Sequence, residues 1–291
     1  MKHLFKYIIV ALAIVLLISL VLSFNPLNFF KGVFQDSITE SESNSTISDS
    51  SNIPESDSIE NVDSSEESES VDAPNNEMFE GLTYVAFGDS ITYGADYTRN
   101  YSQMDFPYPT LVAESLELSS VSNKAISGAT LCTNDMNLVC MTNNILAYTE
   151  QADIISVMLG VNDYNRSLPL GDIDDKTKDT VYGSLNLIAE HLTTTQEDAF
   201  IFFMTPYKCK VGSRTYKDKN DAGYVLEDVS NAVKEVANKY NIPVLDMFNE
   251  GQYELEMYNY GSDAIHPSQE FIREYTAPQI AEFIRQNYRG K

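Results

Sequence analysis

Five short apolar runs recur along the second two-thirds of the chain, and longer segments with apolar residues at helical spacing separate most of them. Continuous apolar runs of this length predict strands that are buried on both faces. The predicted strands are 84–87, 121–126, 153–159, 199–204 and 242–246, and the predicted helices are 110–116, 177–192, 222–240 and a closing helix that ends near 287. Strands that alternate with helices predict an α/β domain with a parallel sheet and helices on both faces.

The amino-terminal segment, 1–30, has a different pattern. Lys2 and Lys6 precede an uncharged run over 7–24 that is rich in Ile, Leu, Val and Ala. A run of this length predicts a transmembrane helix, and the lysines before it indicate a cytoplasmic amino terminus. We therefore expect 1–30 to be a single-pass signal-anchor with the rest of the chain extracellular. A cleaved signal peptide, which would release a secreted domain, is the alternative.

The segment 31–77 is acidic and rich in serine. Thirteen acidic residues, and no basic or aromatic residue, lie between positions 35 and 77. Such a segment buries too little apolar surface to offset its ordering entropy, and its like charges repel one another. It is predicted to be a disordered linker. The remaining residues, 78–291, are enough for one catalytic domain.

The charge of the chain excludes one class of partner. The formal net charge is -24 at pH 7, and the predicted domain is acidic as well as the linker. Nucleic-acid binding requires clustered Lys and Arg, so no nucleic-acid partner is expected. The three cysteines lack the spacing of metal ligands. Cys132 and Cys140 could form a loop disulfide and leave Cys209 free, or all three could be buried thiols.

Polar residues whose side chains can take part in catalysis follow the predicted strands. Ser90 comes after the first strand, and His266 and Asp263 lie in the loop before the last helix. The carboxyl ends of parallel strands meet at one edge of a sheet, where binding sites form. A serine hydroxyl becomes a nucleophile when a base accepts its proton, and a carboxylate three residues before a histidine can orient that base. The pattern predicts Ser90 as nucleophile, His266 as base and Asp263 as its orienting acid.

Acyl transfer also requires donors for the developing oxyanion. The candidates are the backbone N–H groups of Ser90 and Gly128 and the side-chain amide of Asn162, which follow the first three strands. A glycine allows close approach of the backbone to a substrate, and an asparagine amide donates without adding charge. Each dipeptide alone is also common in turns.

Four sequence blocks occur in this order: Gly-Asp-Ser-Ile-Thr at 88–92, Ser-Gly-Ala-Thr at 127–130, Gly-Val-Asn-Asp at 160–163 and Asp-Ala-Ile-His-Pro at 263–267. Together they resemble the SGNH (GDSL-type) hydrolase family over roughly 82–288. The resemblance implies a flavodoxin-like, three-layer α/β/α sandwich around a five-stranded parallel sheet. It also implies a serine esterase that uses the residues above and needs no metal or cofactor. Residues 269–271 depart from the family, which often has a small residue and Gly after His-Pro.

Other residues near these blocks are assigned supporting roles. Asp89 and Asp163 are interpreted as hydrogen-bond acceptors behind the site, with surface caps as the alternative. Five tyrosines in loops are interpreted as the edge of the substrate site: Tyr93, Tyr97, Tyr101, Tyr164 and Tyr207. Aromatic rings with polar tips suit sugar rings or apolar acyl chains. Ordinary core or surface tyrosines are the alternative.

The predicted function is that of a carbohydrate O-acetyl or acyl esterase acting on extracellular or cell-wall glycans. An extracellular enzyme on a long tether would meet such polymers first. The alternatives are a lipase, lysophospholipase or thioesterase of the same fold, an O-acyltransferase, and an inactive glycan-binding module. We expect a monomeric catalytic domain whose partner is its ester substrate.

Overall fold

The computed structural model describes residues 76–133, 138–253 and 263–290. The predicted signal-anchor lies outside the described residues, and so does the predicted linker apart from its last two positions. Among the residues that are described, no helix has both the length and the apolar character needed to cross a membrane.

A five-stranded parallel sheet forms the centre of the domain. Its strands are β1 (Thr83–Gly88), β4 (Ser120–Asn123), β5 (Ile154–Met158), β6 (Phe200–Met204) and β9 (Val244–Leu245). Their spatial order is β4-β1-β5-β6-β9. Counted along the chain this order is 2-1-3-4-5, the doubly wound order of flavodoxin-like sheets. The predicted five-stranded parallel sheet is therefore confirmed.

Two small antiparallel hairpins lie outside this sheet. One consists of β2 (Ala95–Asp96) and β3 (Ser102–Gln103), and the other of β7 (Lys210–Val211) and β8 (Arg214–Thr215). The β2–β3 hairpin follows the first strand of the sheet and carries Tyr97 and Tyr101 between its strands.

The described helices are mostly connections between these strands. Their bounds are α1 (Ser90–Tyr93), α2 (Tyr108–Leu116), α3 (Met141–Leu146), α4 (Val161–Asn165), α5 (Val181–Thr195), α6 (Leu226–Lys239), α7 (Met247–Glu250), α8 (Gln269–Phe271) and α9 (Ala277–Asn287). A π-helical turn, Ile272–Thr276, joins α8 to α9. Helix α2 packs against α9, whereas α5 packs against α3 and α6. Because the central strands are buried on both faces, the two groups cover opposite faces and complete three layers.

The sheet is held by apolar burial on both faces. Every residue of β5 is buried, and only the first residue of β1 is partly exposed. The one polar side chain inside β5, Ser156, is bonded to the Tyr84 hydroxyl across the strand pair at 2.7 Å. A buried hydroxyl without a partner would cost about 1–3 kcal/mol, so this bond makes the polar residue tolerable in the core.

Helix starts differ from the predicted positions because capping residues set them. The prediction placed a helix start at 177, but α5 begins at Val181 because the Thr180 hydroxyl accepts the Gly183 N–H. The helix predicted from 222 begins at Leu226, where the Asp228 carboxylate accepts the backbone N–H of Val225 at 2.8 Å. In both cases the apolar spacing begins before the capping residue. The capping hydrogen bond, and not the spacing, therefore sets where the helix starts.

Cys132, Cys140 and Cys209 are all free and buried. The loop disulfide between Cys132 and Cys140 is therefore absent, and the alternative of buried thiols describes the structure. The Cys140 thiol donates to the Leu131 carbonyl at 3.1 Å.

Candidate active site

The turn after β1 sets the position of Ser90. Gly88 closes the strand, and a Cβ at this position would collide with the side chain of Thr92 and the carbonyl of Met158. Asp89 caps α1 by accepting the Ile91 N–H at 3.0 Å. Ser90 is thus the first residue of a helix at the carboxyl edge of the sheet, with its side chain directed at the loop before α8.

Ser90, His266 and Asp263 form one hydrogen-bonded line. The Ser90 Oγ lies 2.8 Å from His266 Nε2, and His266 Nδ1 lies 2.7 Å from an Asp263 carboxylate oxygen. When Nδ1 carries the proton and donates it to Asp263, Nε2 accepts the serine hydroxyl. The Ser90 and His266 residues are each only 8% exposed. This arrangement lets the serine lose its proton to the imidazole.

A tight loop holds Asp263 beside the imidazole. The second carboxylate oxygen accepts the backbone N–H groups of Ile265 and His266 at 3.0 and 2.8 Å. Ala264, which follows Asp263 directly, has a φ of 60°, a left-handed conformation that is unusual for alanine. Partial burial opposes ionisation of Asp263, but the bonds and the charge of His266 outweigh it, so the pKa of the carboxyl is lowered. Asp263 therefore stays ionised as a partner for the imidazole.

Two of the predicted oxyanion donors, the backbone N–H groups of Ser90 and Gly128, are unengaged within the described residues. Gly128 follows β4 with a φ of 77°, which favours glycine. Within the described parts of the chain, neither the Ser90 N–H nor the Gly128 N–H has a hydrogen-bond acceptor. Both donors are therefore available to a ligand oxygen.

Asn162, the third predicted donor, lies in the first turn of α4. The turn before it contains Gly160 at a φ of 117°. The Asn162 amide nitrogen donates to the Ala129 carbonyl at 3.0 Å and to Asp89 at 3.4 Å. Its amide oxygen accepts the Arg166 Nη1–H at 2.7 Å. The amide orientation is thus fixed by partners on both of its ends.

Two carboxylates behind the site are buried. Asp163 accepts the backbone N–H groups of Leu131 and Cys132, each at 2.9 Å, and so ties the loop after Gly128 to α4. Burial raises the pKa of Asp163 despite these bonds. Burial also raises the pKa of Asp89 to about 6, although the Ile91 N–H and the charge of His266 lower it. Both residues accept hydrogen bonds within the fold and neither is a surface cap.

Two of the five tyrosines predicted at the substrate edge are in the core. Tyr164 is fully buried, and its hydroxyl donates to the carbonyls of Thr215 and Asp218. Tyr207 is buried as well, with its hydroxyl bonded to Thr276 at 2.7 Å. The assignment of Tyr164 and Tyr207 to the substrate edge is therefore wrong. A position after the carboxyl end of a strand places a residue at the site edge of the sheet. It does not determine whether the side chain is exposed there or buried in the core. Tyr93 is half-buried in α1.

Tyr101, in the β2–β3 hairpin, was also predicted at the substrate edge, and it lies beside His266. Its ring centroid is 5.5 Å from that of His266, in an edge-on arrangement, and 5.6 Å from that of Tyr97. The two tyrosines are 47% and 46% exposed. Partial burial and the neighbouring Asp263 carboxylate raise the pKa of the Tyr101 phenol. An exposed aromatic pair therefore borders the imidazole.

Sequence reasoning missed Arg166. The usable signal was its position four residues after Asn162, since residues at this spacing lie on the same face of a helix. In the structure this spacing brings the guanidinium to the Asn162 amide.

A three-layer α/β/α domain with serine, histidine and aspartate hydrogen-bonded at its sheet edge has the features of a serine hydrolase. Residues 86–271 match the sequence model of the GDSL-like Lipase/Acylhydrolase family, and the chain belongs to that family. No curated protein matches the chain.

Solved structures share the fold. A protein from Lactobacillus plantarum is 24% identical, with a TM-score of 0.62, over 72% of this chain and 99% of its own. A protein described as a possible lipase from Chitinophaga pinensis DSM 2588 is also 24% identical, with a TM-score of 0.58, over 70% of this chain and 98% of its own. At this level of identity the similarity concerns the fold.

Proposed function

We propose that the protein is a serine esterase that hydrolyses carboxylic esters through an acyl-enzyme. The observation that carries this proposal is the line from Asp263 through His266 to Ser90, next to two unengaged backbone N–H groups. The Ser90 Oγ attacks the ester carbonyl carbon while His266 Nε2 accepts its proton. The carbonyl oxygen becomes an oxyanion, which the N–H groups of Ser90 and Gly128 and the Asn162 amide stabilise.

Collapse of the tetrahedral intermediate breaks the bond to the alcohol. His266 returns its proton to the departing alkoxide, and the acyl group remains on Ser90. A water molecule then gives its proton to His266 and attacks the acyl carbon, which releases the acid and restores the serine. Asp263 keeps the imidazole in one orientation and stabilises its protonated form through both steps.

We further propose that the alcohol part of the substrate is a carbohydrate and that the acyl group is short. His266 gives its proton to the alcohol, so the alcohol must lie on the histidine side of Ser90. The exposed Tyr97–Tyr101 pair borders that side and offers faces on which a sugar ring can stack. An extracellular location of the domain, through an amino-terminal anchor, is part of this proposal.

Covalent labelling tests the esterase mechanism. A fluorophosphonate is expected to label the wild-type protein at Ser90, and Ser90→Ala is expected to abolish both labelling and ester hydrolysis. An unlabelled wild-type protein that still retains a glycan would contradict the mechanism and favour a binding module.

A substrate panel tests the ester class. Acetate release from acetylated xylan, chitin fragments and peptidoglycan is compared with hydrolysis of simple esters of increasing acyl length. Short acyl groups on glycans are expected to react fastest. Cleavage of long-chain esters alone would favour a lipase, and transfer to a sugar hydroxyl faster than hydrolysis would favour an acyltransferase.

A further inference from the structure

Arg166 lies against two of the three candidate oxyanion donors. It caps α4 four residues after Asn162, and its Nη1 donates to the Asn162 amide oxygen at 2.7 Å. The other terminal nitrogen, Nη2, lies 3.9 Å from the point where a Cβ on Gly128 would stand. The guanidinium is therefore next to two of the three groups that would bind an oxyanion.

The contact holds the Asn162 amide from its oxygen end, in the same orientation that the Ala129 carbonyl and the Asp89 carboxylate favour from its nitrogen end. An asparagine amide has a donor end and an acceptor end of nearly equal size, and only the donor end can stabilise an oxyanion. A guanidinium has donors and no acceptor, so it can pair only with the amide oxygen. A charge-assisted bond of this length is roughly twice as strong as a neutral one. Arg166 thereby disfavours the flipped amide.

The same network engages one of the two Asn162 amide hydrogens only weakly. The bond from Asn162 to the Ala129 carbonyl is 3.0 Å long and well formed, whereas the bond to Asp89 is 3.4 Å. Hydrogen bonds weaken as this distance grows beyond about 3.2 Å. Because its bond to Asp89 is long, the second hydrogen can be shared with a substrate oxygen while the amide stays in place.

Two buried carboxylates explain why a half-buried guanidinium is tolerated here. Burial lowers the pKa of Arg166, but the charges of Asp163 and Asp89 oppose this effect. Both carboxylates lie behind the site, and their negative charge would otherwise disfavour a developing oxyanion. The charge of the Arg166 guanidinium, which interacts with both carboxylates, offsets that charge.

We propose that Arg166 is a positioning residue of the oxyanion hole, which holds the Asn162 amide with its donor end toward the substrate. This inference rests on the proposed esterase function. Arg166 does not take part in bond making, so its effect depends on Asn162. Loss of Arg166 should therefore lower kcat far more than it raises KM. The hydrogen bond from Asn162 to the oxyanion forms mainly in the transition state, so a misoriented amide weakens transition-state binding and has little effect on substrate binding.

A double-mutant cycle between Arg166 and Asn162 is the test. Asn162→Ala is expected to lower kcat by about 10²–10³-fold, the usual cost of one oxyanion donor. Arg166→Met, which keeps the side-chain length without a donor, is expected to lower kcat by about 10-fold or more. In the Asn162→Ala background the same change should cost less than about twofold, because its target is gone. Arg166→Lys should recover part of the loss.

Controls separate this role from a structural one. Arg285 is also partly buried, and it donates to the Ser115 carbonyl and hydroxyl away from the site. Arg285→Gln should therefore keep the wild-type kcat. Its melting temperature shows how much stability is lost when a partly buried arginine is removed. If Arg166→Met does not fold, Arg166→Gln replaces it in the cycle.

Two results would overturn the inference. Losses that multiply in the double mutant would show that Arg166 acts independently of Asn162, and a wild-type kcat in a folded Arg166→Met or Arg166→Gln would show that it has no role. Wild-type hydrolysis by Ser90→Ala would instead reject the esterase mechanism, so the two failures are distinguishable.

Discussion

At the scale of single residues, Tyr101 tests which part of the ester lies beside the histidine. Loss of an aromatic face costs about 0.5–1.5 kcal/mol of stacking. Tyr101→Ala is expected to raise KM for an acetylated oligosaccharide by about two- to tenfold, the equivalent of that energy. KM for methyl acetate, which has no ring to stack, should be unchanged. Initial-rate kinetics on the two esters provide the measurement.

The conservative variant separates the ring of Tyr101 from its hydroxyl. Tyr101→Phe keeps the aromatic face, so KM for the acetylated oligosaccharide should stay at the wild-type value, whereas the hydrogen bond from the phenol to Asp263 is lost with either ester. An equal KM increase for methyl acetate and the oligosaccharide would mean that Tyr101 supports His266 rather than the alcohol.

Asp89 gives a prediction about pH and stability. Its folded pKa of about 6 is above the ordinary 3.8, because burial outweighs the Ile91 N–H and the charges of His266 and Arg166, and Asp163 raises it further. The folded state thus holds a proton that the unfolded state has lost, so stability falls as pH rises from about 4 through about 6. Above pH 7 the cost reaches about 3 kcal/mol.

Asp89→Asn removes this titration while keeping a side-chain oxygen for the Ile91 N–H. The free energy of unfolding of the variant relative to the wild type should therefore increase from pH 4 to pH 7, by up to about 3 kcal/mol. Urea denaturation at several pH values measures the slope. A difference that is constant with pH would mean that Asp89 titrates normally in the folded state.

The residue scale also shows the limit of sequence reasoning. Ser90, His266 and Asp263 could be predicted together because each belongs to a motif whose chemistry requires the others. Tyr164 and Tyr207 could not, because a loop tyrosine serves equally well as a core residue once its hydroxyl finds a carbonyl or a threonine. Tertiary contacts decide that choice, and they leave no local pattern in the sequence.

At the scale of elements, the turn from β5 into α4 requires a glycine for two reasons. Gly160 has a φ of 117°, and a Cβ there would lie 2.5 Å from the Val229 side chain on α6. Gly160→Ala should lower the free energy of unfolding by about 1–3 kcal/mol for backbone strain, and further for the overlap. Chemical denaturation is the measurement.

Two other variants isolate these contributions. Gly81→Ala is a matched control, because Gly81 has a φ of 82° and its Cβ would meet no atom within 4 Å, so it reports strain alone. Val229→Ala makes room and should recover part of the loss in the double mutant. Additive losses in Gly160→Ala and Val229→Ala would mean that the overlap is relieved by other movements.

Element types were more predictable than element ends. The strands of the sheet are buried on both faces, so their apolar runs are continuous and easily recognised. The start of α5 depends on one threonine hydroxyl, and the two hairpins have strands of only two residues, too short for any periodicity. Local hydrogen bonds therefore set what the hydrophobic pattern leaves undefined.

At the scale of the whole molecule, the site joins residues that are far apart in sequence. Ser90 and His266 are 176 positions apart and 2.8 Å from each other in space. The doubly wound sheet accounts for this, since every strand brings its carboxyl end to the same edge. That edge could be predicted from the alternation of strands and helices, whereas the donors' orientation depends on side chains such as Arg166.

The charge of the whole chain gives the last prediction. With a formal net charge of -24, the protein repels anionic substrates at low ionic strength. Salt screens such repulsion, with a Debye length of about 30 Å at 0.01 M and about 8 Å at 0.15 M. We therefore expect kcat/KM for an ester with a carboxylate on its alcohol part to rise between these salt concentrations. The neutral ester of the same size is the control, and its kcat/KM should stay constant. If kcat/KM for the anionic ester falls with salt instead, attraction by a nearby cation outweighs the repulsion by the whole molecule. That result would indicate a local cationic subsite, and the Arg166 guanidinium is the first group to test.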